Sequence, residues 1–204
     1  MFEQLLREWS GESTIVRYDQ PSGAWILIAI HSTRLGPAAG GTRFKPYPTP
    51  EAALRDVLRL SESMTYKFAV PGFPYGGGKA VIDIPENFDW NYRADLLRRY
   101  GALLHQLNGL YYTGPDVGTS AEDMNIIAET GTPYVFGRTP GAGGAGDSGP
   151  ITGLGVFAGV RHLGAVRARW CAQRRNESQI HMPRGCWRRE QPTGGSARCG
   201  ETQS

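Results

Sequence analysis

Cysteine, lysine and long apolar runs are all scarce in this chain of 204 residues. Cys171, Cys186 and Cys199 all lie beyond residue 165, so the body carries no thiol. That excludes a disulfide framework and fits a reducing compartment. Cys171, His181, Cys186 and Cys199 lack the close ligand pairs of a zinc site, and no metal is expected. No window approaches the roughly 18 apolar residues of a membrane helix, so no membrane partner is expected. The N-terminal MFEQLLREWSGES holds acids and no apolar core, which excludes a secretory signal and makes a cytoplasmic protein the default. The 28 glycines do not recur every third residue, which excludes collagen. A hydrophobic fraction of 40% excludes a fully disordered chain and suffices for one good-sized domain, or one domain plus part of a second.

The net charge of +3 conceals two unlike parts. Residues 1–164 carry 14 Lys+Arg against 16 Asp+Glu, whereas residues 165–204 carry 8 Arg, no Lys and 3 Glu. From Arg167 onward there is no Leu, Val, Phe or Tyr. Such a tail buries too little apolar area to offset the entropy of ordering it, so disorder is expected over 165–204. Its Arg, Trp, Cys, Gly and Pro are what out-of-frame reading of a GC-rich gene produces. The tail could attract nucleic acid by charge alone, but it has no folded platform, and no nucleic-acid partner is expected.

The body alternates strand and helix signals. Residues 13–18 (STIVRY) and 25–30 (WILIAI) predict two strands joined through a turn at Gly23. A Gly-rich stretch, GPAAGGTRF, covers 36–44. Thr49, Pro50 and Glu51 mark a helix start, and Leu54, Val57 and Leu58 continue it to about Met64. A short strand is expected at 80–84 after a second Gly-rich loop. Leu96, Leu97, Tyr100, Leu103, Leu104 and Leu107 form one helical stripe. Ser120 with Asp123 resembles a capping box. Residues 137–149 read as a flexible loop, and 151–163 as a further helix.

The body's three lysines, Lys45, Lys67 and Lys79, stand against eleven arginines. Arg cannot deprotonate, whereas a partly buried Lys titrates. Lys67 lies in the apolar MTYKFAV, and Lys79 follows three glycines whose missing side chains let a substrate approach. Two such lysines lower each other's pKa, which makes a general base near neutral pH. The alternative is a pair of surface lysines beside loops. Asp116, in TGPDVGT, is either a turn residue or a carboxylate shuttling protons beside a lysine. GAGGAG at 141–146 matches a dinucleotide fingerprint only literally, because no strand signal precedes it. GGGK at 76–79 is not a P-loop, since Phe73 and Ala80 occupy positions that need Gly and Ser/Thr.

GPAAGGTRF, MTYKFAVPGFPYGGGKAVID, YYTGPDVGTSAEDMNII and SGPITGLGVF together, in this order, resemble the leucine, valine and phenylalanine branch of the Glu/Leu/Phe/Val dehydrogenase family over residues 10–164. The resemblance implies an α/β fold: a substrate-binding and oligomerisation domain with a mixed sheet flanked by helices, and a homo-oligomer. It implies NAD-dependent oxidative deamination of an L-amino acid to a 2-oxo acid and ammonia. Lys67 then matches the lysine that binds the substrate carboxylate. Lys79 matches the catalytic lysine that works with a water at the α-carbon, and Asp116 the acid that exchanges protons with the amino group. Gly40 and Gly41 match the loop lying against the substrate, with Met64 also on the substrate side, and Thr152 the threonine near the nicotinamide. Glutamate-specific relatives place a lysine where this chain has Ala39, so an apolar substrate is expected. Gly114 falls where the branch lines its side-chain pocket and leaves room for a ring, which leans toward phenylalanine without excluding leucine or valine.

The family continues into a Rossmann NAD domain, most of which is expected to be missing here. The expected organisation is a substrate and dimerisation domain over 1–135, a linker and first helix over 136–164, and a tail over 165–204. A truncated or frameshifted, inactive dehydrogenase is expected, the alternative being a non-catalytic oligomerisation module.

Overall fold

Alternation in WILIAI sets the architecture. Ile26, Ile28 and Ile30 point to one side of the sheet and Leu27 and Ala29 to the other, and all five are buried. A strand buried on both faces needs helices on both, which makes three layers. The computed structural model describes residues 2–146 and 148–177, with side chains over 3–146 and 148–165. It divides into two units, Met1–Gly153 and Leu154–Ser204.

The first unit holds α1 (Phe2–Glu8), β1 (Ser13–Asp19), β2 (Ala24–Ser32), β3 (Ala38–Lys45), α2 (Pro50–Ala69), β4 (Gly76–Asp83), α3 (Arg93–Gln106), β5 (Tyr111–Pro115) and α4 (Ala121–Gly131). The strand order is β1-β2-β4-β3-β5. β1, β2 and β4 pair antiparallel, while β4, β3 and β5 pair parallel. This is the mixed sheet flanked by helices that the resemblance implies. The Ile26, Ile28, Ile30 and Ile82 face packs with Leu96, Leu97, Tyr100 and Leu104 of α3 and Met124 and Ile127 of α4. The opposite face packs Leu27, Ala29 and Val81 against Ala53, Leu54, Val57 and Leu58 of α2 and Leu5 of α1.

Thr49 caps α2 with its side chain accepting from the Ala52 N–H, and Pro50 opens the helix as expected. The helix runs past Met64 to Ala69 and ends just before Pro71, whose ring disfavours a helical residue ahead of it. Lys67 therefore sits in the last turn, where the carbonyl ends favour a cation. Ser120 and Asp123 form the expected capping box of α4.

Four segments differ from the sequence reading. The Gly-rich 36–44 stretch is largely strand β3, and the glycines before Lys79 are the start of β4. β5 had no helix- or strand-length signal of its own. The final helix, α5, spans Gly149–Glu177 rather than 151–163, so the backbone of 165–177 is helical where disorder was expected. Ala, Arg and Gln there carry high helix propensity, and extending an existing helix avoids the cost of a new nucleus. The remainder of the tail, 178–204, with His181, Cys186 and Cys199, lies outside the described residues. No helix among the described residues is long and apolar enough to cross a membrane.

Candidate active site

The first unit carries a cavity of about 370 Å³ over the α2 side of the sheet, at the C-terminal end of that helix. Gly40 and Gly41 of β3, Lys79 of β4, Met64, Lys67 and Phe68 of α2, Pro115 at the end of β5 and Asp116 just after it all line it. Two lysines and one aspartate, 49 residues apart from Lys67 to Asp116 in sequence, thus meet at one wall.

Strand alternation aims Lys79 toward α2, and the residue is only 4% exposed. Its Nζ lies 3.1 Å from Asp116 Oδ2. Burial is the largest influence on Lys79 and pulls its pKa down. Asp116 opposes that, while Arg43 and Lys67 add to it, and the outcome is a lowered pKa. The mutual repulsion of the two lysines is thus a minor contribution beside desolvation, because Lys67 is exposed. Burial alone would raise Asp116. The Lys79 ammonium and the Arg43 guanidinium outweigh it and hold the carboxyl below its ordinary value. The site therefore pairs a lysine that sheds its proton more easily than an exposed lysine does with a carboxylate held in its ionised form.

The loop bearing Asp116 is fixed by its neighbours. The Asp116 N–H donates to Thr119 Oγ1 at 2.8 Å, and that hydroxyl donates to the Thr42 carbonyl at 2.8 Å. A Cβ on Gly41 would stand 2.6 Å from the Pro115 carbonyl and 2.8 Å from Asp116 Cβ, so glycine is what lets the loop approach β3. Gly40 is also closed in by protein, since its Cβ would meet the Gly78 carbonyl at 1.9 Å. The glycines before Lys79 do not open room for a substrate. A Cβ on Gly77 would lie 2.0 Å from Thr65 Oγ1, and the missing side chain seats α2 on the strand.

Ala39 lines a second recess of about 420 Å³ with Phe68, Tyr75, Tyr112, Pro133, Val135 and Phe136. Phe68 and Phe136 border both spaces. Gly114 lines neither. A Cβ there would lie 2.2 Å from Phe136 Cε2, so the room it leaves for a ring holds the chain's own Phe136. Thr152 also stands apart from the cavity, exposed in the first turn of α5, its N–H donating to the Ser148 carbonyl. The GAGGAG stretch forms the short 3₁₀ turn Pro140–Ala142, with Gly143 and Gly146 in left-handed conformations. No strand of the sheet runs into it, so the described residues do not make a dinucleotide phosphate site. No group of three or more His, Cys, Asp or Glu suited to a metal occurs among the described residues.

Sequence reasoning missed Arg43, Asp56 and Phe136. Arg43 Nε donates to Asp116 Oδ2 at 2.9 Å, and its Nη1 to Asp56 Oδ2 at 2.7 Å. Arg43 is the second-to-last residue of the GPAAGGTRF motif, two residues past Gly41, a visible position with no marked partner. Asp56 and Phe136 carried no signal, since what gives them a place at the site, Arg43 beside Asp56 and Gly114 against Phe136, is brought there by the fold.

The Glu/Leu/Phe/Val dehydrogenase dimerisation-domain model matches residues 22–132. The chain is 48% identical over 151 residues to a valine dehydrogenase of Streptomyces virginiae, covering 74% of this chain and 41% of that protein. It is 43% identical over 158 residues to a leucine dehydrogenase of Bacillus subtilis, covering 78% of this chain and 43% of that one. A crystal structure of L-tryptophan dehydrogenase from Nostoc punctiforme superposes with a TM-score of 0.62 at 43% identity, covering 83% of this chain and 45% of that one. The chain thus spans under half the length of the curated relatives it matches.

Proposed function

The chain belongs to the Glu/Leu/Phe/Val dehydrogenase family, and we propose that it supplies the substrate half of an amino-acid dehydrogenase. In this reading it binds an apolar L-amino acid and handles the protons of oxidative deamination to the 2-oxo acid and ammonia. The observation that carries the reading is the buried Lys79 ammonium 3.1 Å from Asp116, on the wall of a cavity that Lys67 also lines.

Lys67, an exposed cation at the cavity edge, pairs the substrate carboxylate. Gly40, Gly41 and Met64 shape the wall beside it. The Lys79 ammonium first releases its proton, which its lowered pKa favours, and the neutral amine then takes a proton from a water at the α-carbon. Asp116 accepts hydrogen bonds from the α-ammonium and exchanges its protons. NAD, the hydride acceptor of the family, would find no strand-to-helix phosphate loop in the 141–146 turn, so the roles assigned to these residues are binding and proton handling alone. Residues 1–135 form the substrate domain in this reading, and 136–164 connect it onward.

The recess beside Ala39 supports an apolar substrate such as phenylalanine, leucine or valine. No cation lines it, so a second carboxylate would be buried unpaired at a cost of several kcal/mol. Calorimetric titration of the purified chain with L-phenylalanine, L-leucine, L-valine and L-glutamate tests this. An apolar amino acid binds, L-glutamate binds at least about tenfold more weakly, and Lys67→Ala and Lys79→Ala lose binding. Equal affinity for glutamate, or unchanged binding in both variants, overturns the reading. The same chain forms no NADH from these amino acids.

A second reading is an oligomerisation module, favoured by the open edge of β1. That strand pairs only with β2 among the described strands and leaves Val16 and Tyr18 exposed. Light scattering on the eluting protein reads it directly, and a monomer at micromolar concentration rejects it.

A further inference from the structure

Asp116 is held by one oxygen. Lys79 Nζ and Arg43 Nε both contact Oδ2, at 3.1 and 2.9 Å, while Oδ1 has no hydrogen-bonding or ionic partner among the described residues. Arg43 is itself clamped. Its Nη1 donates to Asp56 Oδ2 at 2.7 Å, and the same oxygen accepts from the Tyr47 hydroxyl at 2.7 Å. Arg59 binds the other oxygen of Asp56 at 2.8 Å. Arg43 and Asp56 are both largely enclosed, with side chains 18% and 17% exposed. A planar guanidinium reaching two carboxylates through two different nitrogens fixes its own orientation, which a lysine cannot do.

We infer that Arg43 is the positioning residue of the site: anchored on Asp56, it binds Oδ2 of Asp116 alongside Lys79 and leaves Oδ1 as the oxygen offered to the amino group of the substrate. This rests on the proton-handling role given above to Asp116. Lys79 alone, as a single ammonium on a flexible stem, would fix neither the carboxylate plane nor which oxygen stays free. Arg43 does both from the neighbouring strand, and its position in β3 holds it at the register of Val81 in β4.

The charged and titratable groups around Asp116 are Lys79 from β4, Arg43 from β3 and Tyr111 from β5, with Asp56 of α2 behind Arg43. Removing Arg43 deletes one of the two cations that keep Asp116 ionised, so its carboxyl titrates higher. The side-chain carboxyl ¹³C signal of Asp116, assigned with Asp116→Asn, reports this in the full chain without any ligand. Arg43→Gln raises the midpoint, and Arg43→Lys, which keeps the charge but loses the two-armed grip, raises it less. An unchanged midpoint in a folded Arg43→Gln protein overturns the inference.

A second measurement separates positioning from bulk structure. An L-amino acid has an ammonium to meet Oδ1, whereas its 2-oxo acid does not. Arg43→Gln therefore weakens the amino acid about tenfold relative to the 2-oxo acid, the size of one charge-assisted hydrogen bond. Equal loss for both ligands overturns the inference, and where Arg43→Gln fails to fold, Arg43→Lys is read for the same change in ratio. If the parent chain binds neither ligand, the proposed function fails while the carboxyl titration still decides the role of Arg43.

Discussion

Asp116→Asn strands a buried cation. Lys79 is 4% exposed, and Asp116 is its one ion-pair partner among the described residues. The amide keeps an oxygen that can accept a hydrogen bond but removes the negative charge, while Arg43 and Lys67 still repel Lys79. Removing one member of a buried pair costs about 3–5 kcal/mol. The Asp116 side chain is 23% exposed and the acceptor survives, so about 2–3 kcal/mol is expected at pH 7. The lysine has a way out, since it can release its proton. Its folded pKa in the variant falls further below the unfolded value of about 10.4 than in the parent. Between those two values the unfolded chain binds more protons than the folded one, so the variant's stability rises with pH, by at most about 1.4 kcal/mol per unit. The gap to the parent therefore narrows from pH 7 to pH 9. Urea unfolding at both pH values measures it. Adding Lys79→Met to Asp116→Asn removes the stranded charge and recovers much of the loss. A penalty that is the same at both pH values, with no recovery in the double variant, refutes the buried-cation argument.

Gly41→Ala places a methyl 2.6 Å from the Pro115 carbonyl, so it should cost about 1–3 kcal/mol in urea unfolding and displace Asp116 enough to abolish amino-acid binding. Asp83, accepting from the Tyr47 N–H at 2.9 Å, is pushed up to about 6 by burial against the opposing pull of that N–H and Lys45. A carboxyl raised on folding binds its proton more readily in the folded chain, so its contribution to stability grows as pH falls from about 6 toward the unfolded value near 3.9. Asp83→Asn keeps the acceptor, removes that dependence and flattens stability between pH 7 and 5, which thermal melts across the range will show. Phe136→Ala joins the two cavities it borders at little cost in stability, since the ring is 45% exposed. It should strengthen binding of amino acids with larger side chains relative to valine in calorimetric titration, and an unchanged preference rejects Phe136 as the dividing wall.

What could be read from the residues follows the range of the interactions that fix them. The caps at Thr49 and Ser120 and the stripe of α3 depend on neighbours within a few positions, the two antiparallel strands on a partner across one turn, and all are present. β3 was hidden because its glycines, turn signals locally, are dictated by strands and loops far along the chain: Gly40 by Gly78, and Gly41 by Pro115. A central parallel strand crowded on both sides selects for small residues just as a turn does, and composition alone does not separate the two. The same limit applies at the site. The lysines were conspicuous because Arg replaces Lys nearly everywhere else in the body, so a residue type carried the signal. Arg43 is one arginine among many, and only its two simultaneous partners, 13 and 73 residues away, distinguish it. Gly114 shows the opposite error. The small residue was visible, but its consequence depended on Phe136, which the fold brings back over it through the segment that bridges to Thr113. Residue type thus marked the groups that do chemistry, while the groups that hold or crowd them emerged only from the tertiary structure.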